Sequence, residues 1–135
     1  AVLQLETHVF SQQKRMRELM APYGTRLMAW APLAEGRNGI FTHPTLTAIG
    51  AKYGKTAAQT ALRFLMAEDV IAIPKSVHRE HLVENFSIDD FELSAEDLDA
   101  IRALDGGKPM FADFNDPTLA KFLLEYDAKF NPERQ

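Results

Sequence analysis

A chain of 135 residues is long enough for one compact domain and too short for two ordinary ones. Its 46% hydrophobic and 25% charged residues give the balance of a globular protein with a packed core, which excludes disordered, collagen-like and low-complexity readings. A net charge of −4 argues against a nucleic-acid-binding surface, and the lack of cysteine excludes disulfides, thiolate metal sites and Cys nucleophiles. No apolar stretch approaches the roughly 20 residues of a membrane helix, so the chain reads as cytoplasmic with no membrane partner.

The first apolar run, Val2-Leu3-Gln4-Leu5, is followed by a helical stretch from Ser11 to Met20, with Met16, Leu19 and Met20 on one face and Pro22 and Gly24 closing it. The second run, Leu27-Met28-Ala29-Trp30, precedes a helix over Pro44 to Tyr53, where Leu46, Ile49, Gly50 and Tyr53 keep helical spacing and Gly54 ends it. Thr56 and Gln59 form a capping pair that opens another helix, with Ala58, Ala61, Leu62 and Leu65 as its inner face. The third run, Val70-Ile71-Ala72-Ile73, leads into a short helix over Glu80 to Phe86. Continuous apolar runs of this kind suit strands buried on both faces, and their alternation with helices is the grammar of a β/α barrel or a doubly wound sheet. Ser94 starts a further helix with Leu98, Ile101 and Leu104, stopped by Gly106-Gly107. Asp116-Pro117 starts another, with Leu119, Phe122, Leu123 and Tyr126 on one face.

Three buried parallel strands cannot close a barrel, and they would leave two open edges. Together with an apolar start at Ala1-Val2-Leu3, this predicts the final part of a larger β/α domain.

In β/α barrels ligands sit at the carboxyl ends of the strands, which directs attention to Gln4, Glu6 and His8, to Trp30-Ala31-Pro32-Leu33, and to Pro74-Lys75-Ser76-Val77. The last segment brings a cation, a hydroxyl and the N–H groups of a helix starting near Arg79 together, which is chemistry that binds phosphate. The same residues also suit an ordinary solvated strand-to-helix turn.

These segments carry a specific resemblance. Ile73-Pro74-Lys75-Ser76, then Glu84-Asn85 and Phe91-Glu92-Leu93-Ser94, resemble the cofactor-binding end of the aldo-keto reductases. Trp30-Ala31-Pro32-Leu33-Ala34-Glu35-Gly36 is similar to that family's loop after the seventh strand. Gln4-Leu5-Glu6-Thr7-His8 resembles its sixth-strand motif, and Ala58-Gln59 with Ala61-Leu62-Arg63 matches the helix before the eighth. The resemblance implies a (β/α)8 TIM barrel, here only its C-terminal part: residues 1–105 as strands six to eight with their helices, and 106–135 as the tail with a helix. It also implies NADP(H) as cofactor, possible use of NAD(H), and a small carbonyl substrate, an aldehyde or ketone reduced by hydride transfer.

Carried over by position, Gln4 would hydrogen-bond the nicotinamide carboxamide and Trp30 would stack on its ring, against the plainer reading of a barrel-core tryptophan. Ala31, Leu33 and Gly36 would line the pyrophosphate. Lys75, Ser76 and Val77 would hold the adenosine 2′-phosphate, and Glu84 and Asn85 would contact adenine. Two departures stand out. Leu3 replaces the family's usual Asn. His81 stands where the family commonly has an Arg, and an imidazole offers neither permanent charge nor a bidentate fork, with His78 and Arg79 as partial substitutes.

No catalytic residue is expected here, because the family's Asp, Tyr, Lys and His lie on earlier strands that would belong to a missing N-terminal part. Tyr23 falls in a helix-to-strand turn, and Tyr53 and Tyr126 on helix faces. His8 suits a structural role and His43 a helix start. Asp89-Asp90 and Glu96-Asp97 read as solvated helix ends, with no metal. The competing readings are a non-catalytic cofactor-binding barrel or truncated product, and an aldolase- or isomerase-type phosphate-binding barrel; the Ile-Pro-Lys-Ser run and the Trp30 loop disfavour the latter.

Overall fold

The computed structural model describes residues 1–111, 117–119, 121, 122 and 125. Strands β1 (Val2–Glu6), β2 (Arg26–Trp30) and β3 (Ile71–Ala72) form one parallel sheet in the order β1-β2-β3. Each crossover is helical, as parallel neighbours require. Helix α1 (Lys14–Met20) links β1 to β2; α2 (Pro44–Tyr53) and α3 (Ala57–Ala67) link β2 to β3; α4 (Arg79–Phe86) and α5 (Ala95–Arg102) follow.

The core lies on the helix side of the sheet, where Leu27, Ala29, Ile49, Ala61, Phe64, Leu65 and Ile101 are buried together. The other face is largely open, with only its carboxyl end covered at Glu6: Val2 and Gln4 are exposed, and Met28, Trp30 and Ile71 are half-buried. The expectation of strands buried on both faces is thus corrected for this chain. A continuous apolar run suits a strand dry on both faces, and here the helices cover one face while the segment at 110 and 111 reaches only the carboxyl end of the other. With β1 and β3 as free edges, the sheet is a segment of a barrel and not a closed one.

Local sequence explains the elements. The Thr56 hydroxyl accepts the Gln59 backbone N–H at 3.2 Å while the Gln59 side-chain oxygen Oε1 accepts the Thr56 N–H at 3.1 Å, completing the capping pair of α3. Gly50 is needed where α2 meets the turn into α3, since a Cβ there would lie 2.5 Å from the Lys55 carbonyl oxygen. Helix α1 starts later than the spacing predicts. Gln13 takes a left-handed conformation (φ 54°), and residues 11–13 form a loop held by the buried Gln12, whose amide donates to the carbonyls of Val9 (2.8 Å) and Ile101 (2.9 Å). Leu19, expected on the inner face of α1, is exposed.

Residues Pro117–Leu119, Lys121, Phe122 and Glu125 are helical, in line with the last expected helix; Asp116, Leu123 and Tyr126 lie outside the described residues. Among the described residues, no helix is long and apolar enough to cross a membrane.

Candidate functional site

In β1 and β2 the register pairs Gln4 with Met28 and Glu6 with Trp30. Paired residues share a face, so Gln4, Glu6 and Trp30 all stand on the face turned away from the helices, at the strands' carboxyl ends. Beyond Trp30 the chain enters a strained loop. Ala31 (φ 50°), Ala34 (φ 49°), Glu35 (φ 49°) and Asn38 (φ 54°) all hold left-handed backbone, alongside Gly36 (φ 75°) and Gly39 (φ 62°). Such runs of strain in residues other than glycine concentrate at ligand clamps. The loop is stiffened from within: Ala34 N–H donates to the Ala31 carbonyl at 2.8 Å, and Gly36 N–H to the Leu33 carbonyl at 2.9 Å.

A groove of about 430 Å³ opens beside this loop, lined by Leu33, Lys75, Ser76, His81, Glu84 and Asn85, with Phe41, Thr56 and Ala58 completing its walls. Six of the sequence-nominated residues thus meet in one place. Gln4, Trp30, Ala31 and Gly36 lie outside that groove. Val77 is 78% exposed and does not line it.

Lys75 and the start of α4 give one end of the groove a positive character. Among the described residues Lys75 forms no ion pair. Helix α4 begins with His78 as N-cap, extended and without a side-chain cap, so its first N–H groups have no side-chain acceptor from the cap. The rings of His78 and His81 stand 5.4 Å apart, edge to face. The Ser76 hydroxyl accepts the His78 N–H at 3.1 Å, which fixes the turn that presents it. At the other end Glu84 accepts the Thr56 hydroxyl proton, while the Gln59 amide donates to the carbonyls of Glu84 (3.2 Å) and Ser87 (3.0 Å). The start of α3 therefore holds the last turn of α4 in place.

The remaining candidates have structural partners. His8 is buried; its Nδ1 accepts the Phe10 N–H at 3.2 Å, so Nε2 carries the proton and donates to Glu6 at 3.1 Å. Burial lowers the His8 pKa despite the neighbouring carboxylate. The Tyr53 hydroxyl donates to Asp97 at 2.6 Å and accepts the Ser94 N–H at 3.1 Å, and Tyr23 is exposed in a 3-10 turn. His43 precedes α2, as expected. Asp97 corrects its expected place as a solvated helix end: it is buried, its carboxylate accepts from Lys52 and Tyr53, and its own N–H donates to the Ser94 hydroxyl at 3.2 Å. A buried carboxylate is tolerated because these donors replace water. Among the described residues no cluster of His, Asp and Glu fits a metal ion.

Sequence reading missed Phe41, Thr56 and Ala58 as groove walls and the strained loop over 34–42. Its signal was present in Glu35-Gly36 and Asn38-Gly39, dipeptides that favour left-handed turns.

Comparison with known proteins agrees with this geometry. The sequence model of the Aldo/keto reductase family matches residues 1–106. An aldo-keto reductase of Mycobacterium sp. is 41% identical over 113 residues, 84% of this chain and 40% of the relative. The methylglyoxal reductase DkgA of Escherichia coli is 36% identical over 110 residues, again 40% of its length. Among solved structures, an aldo-keto reductase from a deep-sea metagenome library superposes with a TM-score of 0.81 at 34% identity, covering 85% of this chain and 43% of that one. A Gox0644 variant in complex with NADPH superposes at 0.76 with 32% identity, covering 84% and 44%. The chain spans about two fifths of the curated relatives it matches. Sheet, strained loop and groove coincide with a family match over most of the sequence, and the chain belongs to the aldo/keto reductase family, of whose barrel it forms a C-terminal part.

Proposed function

We propose that this chain is the NADP(H)-holding part of an aldo-keto reductase whose intact barrel reduces a small aldehyde or ketone. The observation that carries this reading is the groove, where Lys75, Ser76, His81, Glu84 and Asn85 converge from the β3–α4 turn and from α4. Residues 1–105 act as the barrel portion and 106–135 as the tail.

The residues present fit such a cofactor. The exposed Lys75, the Ser76 hydroxyl and the uncapped start of α4 suit a 2′-phosphate, and the half-buried Asn85 beside Glu84 offers amide donors and acceptors for a base edge. Leu33 continues the groove toward the strand ends. There Gln4 would hold a carboxamide, and Trp30 would present its ring to a nicotinamide. When bound, the reduced cofactor supplies the hydride. The strained loop carrying Ala31, Leu33 and Gly36 is stiff enough to hold a pyrophosphate in one place. Val77, turned to solvent, contributes at most its backbone. A relative's NADPH complex supports the phosphate-bearing cofactor, and NAD(H) is the weaker alternative ligand.

The proton donor is not among these residues, because among the described residues no tyrosine stands at a strand's carboxyl end. The chain alone is therefore expected to turn over no carbonyl compound, and it should gain activity only when joined to the preceding part of its barrel. The cofactor reading is tested by Lys75→Met. Losing one charge-assisted contact to phosphate costs about 1.5–3 kcal/mol, so NADPH affinity should fall roughly tenfold to a hundredfold while NADH affinity hardly changes. Equal loss for both cofactors in titrations of the intact protein would remove Lys75 from the 2′-phosphate.

A further inference from the structure

Glu6 is used in a way that the groove does not explain. It ends β1 in register with Trp30, it is 1% exposed, and both of its carboxylate oxygens are engaged. Oε1 accepts the Met110 backbone N–H at 2.5 Å and the His8 Nε2 proton at 3.1 Å; Oε2 accepts the Phe111 N–H at 3.1 Å. Two successive N–H groups of the segment after α5 are therefore captured by one side chain 104 residues earlier.

That segment is pinned at its start as well. Gly106 N–H donates to the Phe10 carbonyl at 2.9 Å, and Asp105 accepts the Gln12 N–H at 3.1 Å. Between these anchors it crosses the carboxyl ends of β1 and β2 and delivers the Phe111 ring to one location. The ring centroid lies 5.4 Å from that of Trp30 and 6.4 Å from that of His8, with the Arg37 guanidinium 4.7 Å over its face. Arg37 belongs to the strained loop, and Asn38 from the same loop reaches the Met110 sulfur at 3.6 Å. The loop and the tail are thus joined above the two strand ends.

A carboxylate taken out of water is costly unless donors replace the water, and here backbone N–H groups of a distant segment do so. Two directional bonds at adjacent residues fix the local chain direction as well as its position, and with it the placement of the Phe111 ring. We propose that Glu6 is a positioning residue: by accepting the N–H groups of Met110 and Phe111 it seats the Phe111 ring against Trp30, and so fixes the indole in the orientation used to receive the cofactor. The last clause rests on the reading of Trp30 given above; the seating itself does not.

The test uses the intact protein with 5-fluorotryptophan, the Trp30 resonance being assigned by its loss in Trp30→Phe. In Glu6→Gln one amide oxygen remains as acceptor and an NH2 group faces a backbone donor. Amide exchange at Met110 and Phe111 should quicken by about tenfold or more, with α3 unchanged. The Trp30 resonance should move toward its position in Phe111→Ala. Exchange that quickens while Trp30 stays in place would overturn the proposal, leaving Glu6 as a plain anchor, and so would no change in either. Should Glu6→Gln fail to fold, Phe111→Ala keeps the carboxylate: the Trp30 resonance is expected to move while Met110 stays protected, and an unmoved resonance overturns the seating. A Trp30 resonance that responds to Glu6→Gln but not to NADPH would overturn the cofactor reading and leave the seating standing.

Discussion

Helices α3 and α4 lie next to each other and are built on opposite principles. Of the eleven residues of α3, eight are buried, and both partners of its N-terminal capping pair are in place. Helix α4 has eight residues, none of them buried, and an N-cap without a side-chain bond. Yet α4 supplies His81, Glu84 and Asn85 to the groove, while α3 supplies one wall alanine. The apolar residues of α4 do not face the core either: Leu82, Val83 and Phe86 are exposed, with Leu82 and Phe86 bordering an open cleft beside β3. Burial makes α3 the chain's support, whereas α4 is held by polar ties to its neighbour, Glu84 among them, and keeps His81 exposed at the groove.

Matched truncations should expose this difference most strongly. Phe64→Ala, at a residue 1% exposed in α3, is expected to cost about 3–5 kcal/mol, enough to unfold a marginal domain. Phe86→Ala, at a residue 87% exposed in α4, should stay within about 0.5 kcal/mol. Urea denaturation of both variants decides the matter, and similar losses would mean that α4 is packed in solution.

The second comparison concerns the end of α3. Glu68 follows its last turn and accepts from Arg102 of α5 and Arg17 of α1, joining three helices. Burial alone would raise its pKa, but the bonds from Arg102 and Arg17 outweigh it and hold the carboxyl below the usual range. A depressed folded pKa stabilises above the unfolded value of about 4.3, and that contribution disappears as pH falls through the lower folded value. Glu68→Gln should thus lose about 1–3 kcal/mol at pH 7 and show a flatter acid limb below about pH 4. An acid limb as steep as the parent's would assign the acid sensitivity to Asp97, whose carboxyl is likewise held low: Lys52 and Tyr53 overcome its burial.

Thr56 sits where the two helices meet, capping α3 through its hydroxyl oxygen and giving its proton to Glu84 of α4. Thr56→Ala should cost about 0.5–2 kcal/mol. Its amide-exchange pattern is more telling than its size: α4 should lose protection before α3 does. Loss confined to α3 would show that Glu84 is held by Gln59 alone.

Much of this architecture was legible because burial writes a period into sequence. Ala58, Ala61, Leu62 and Leu65 marked the inner face of α3, and Pro44 and Gly54 bounded α2. The groove residues on α4 follow no such period, and only the family resemblance singled them out. What stayed hidden depends on contacts distant in sequence. Apart from His8 two residues on, nothing local distinguishes Glu6 from an exposed strand-end acid, because its backbone donors are at 110 and 111. Asp97 looked like any first-turn acid for the same reason, its partners being 44 and 45 residues away. The strained loop after Trp30 carries no apolar period, and only Glu35-Gly36 and Asn38-Gly39 betray its left-handed backbone.

The smallest effect on stability should carry the clearest functional signal. His81 is exposed, lies one ring from His78, and borders the groove on the side of Lys75 and Ser76. His81→Arg replaces an imidazole by a permanently charged fork in a helix that buries nothing, so stability should change by no more than about 0.5 kcal/mol. If the groove receives the 2′-phosphate, the added guanidinium can pair with it, and a charge-assisted bond of about 1.5–3 kcal/mol would raise NADPH affinity roughly tenfold to a hundredfold. NADH, which lacks that phosphate, should gain little. The ratio of the two affinities is therefore the quantity to measure, since it cancels any general change in the groove. Lys75→Met in the same background separates the sources of selectivity: an Arg that restores NADPH preference without Lys75 would place both residues on one phosphate. An unchanged ratio in His81→Arg would turn residue 81 away from the ribose and leave selectivity to Lys75, Ser76 and the N–H groups at the start of α4.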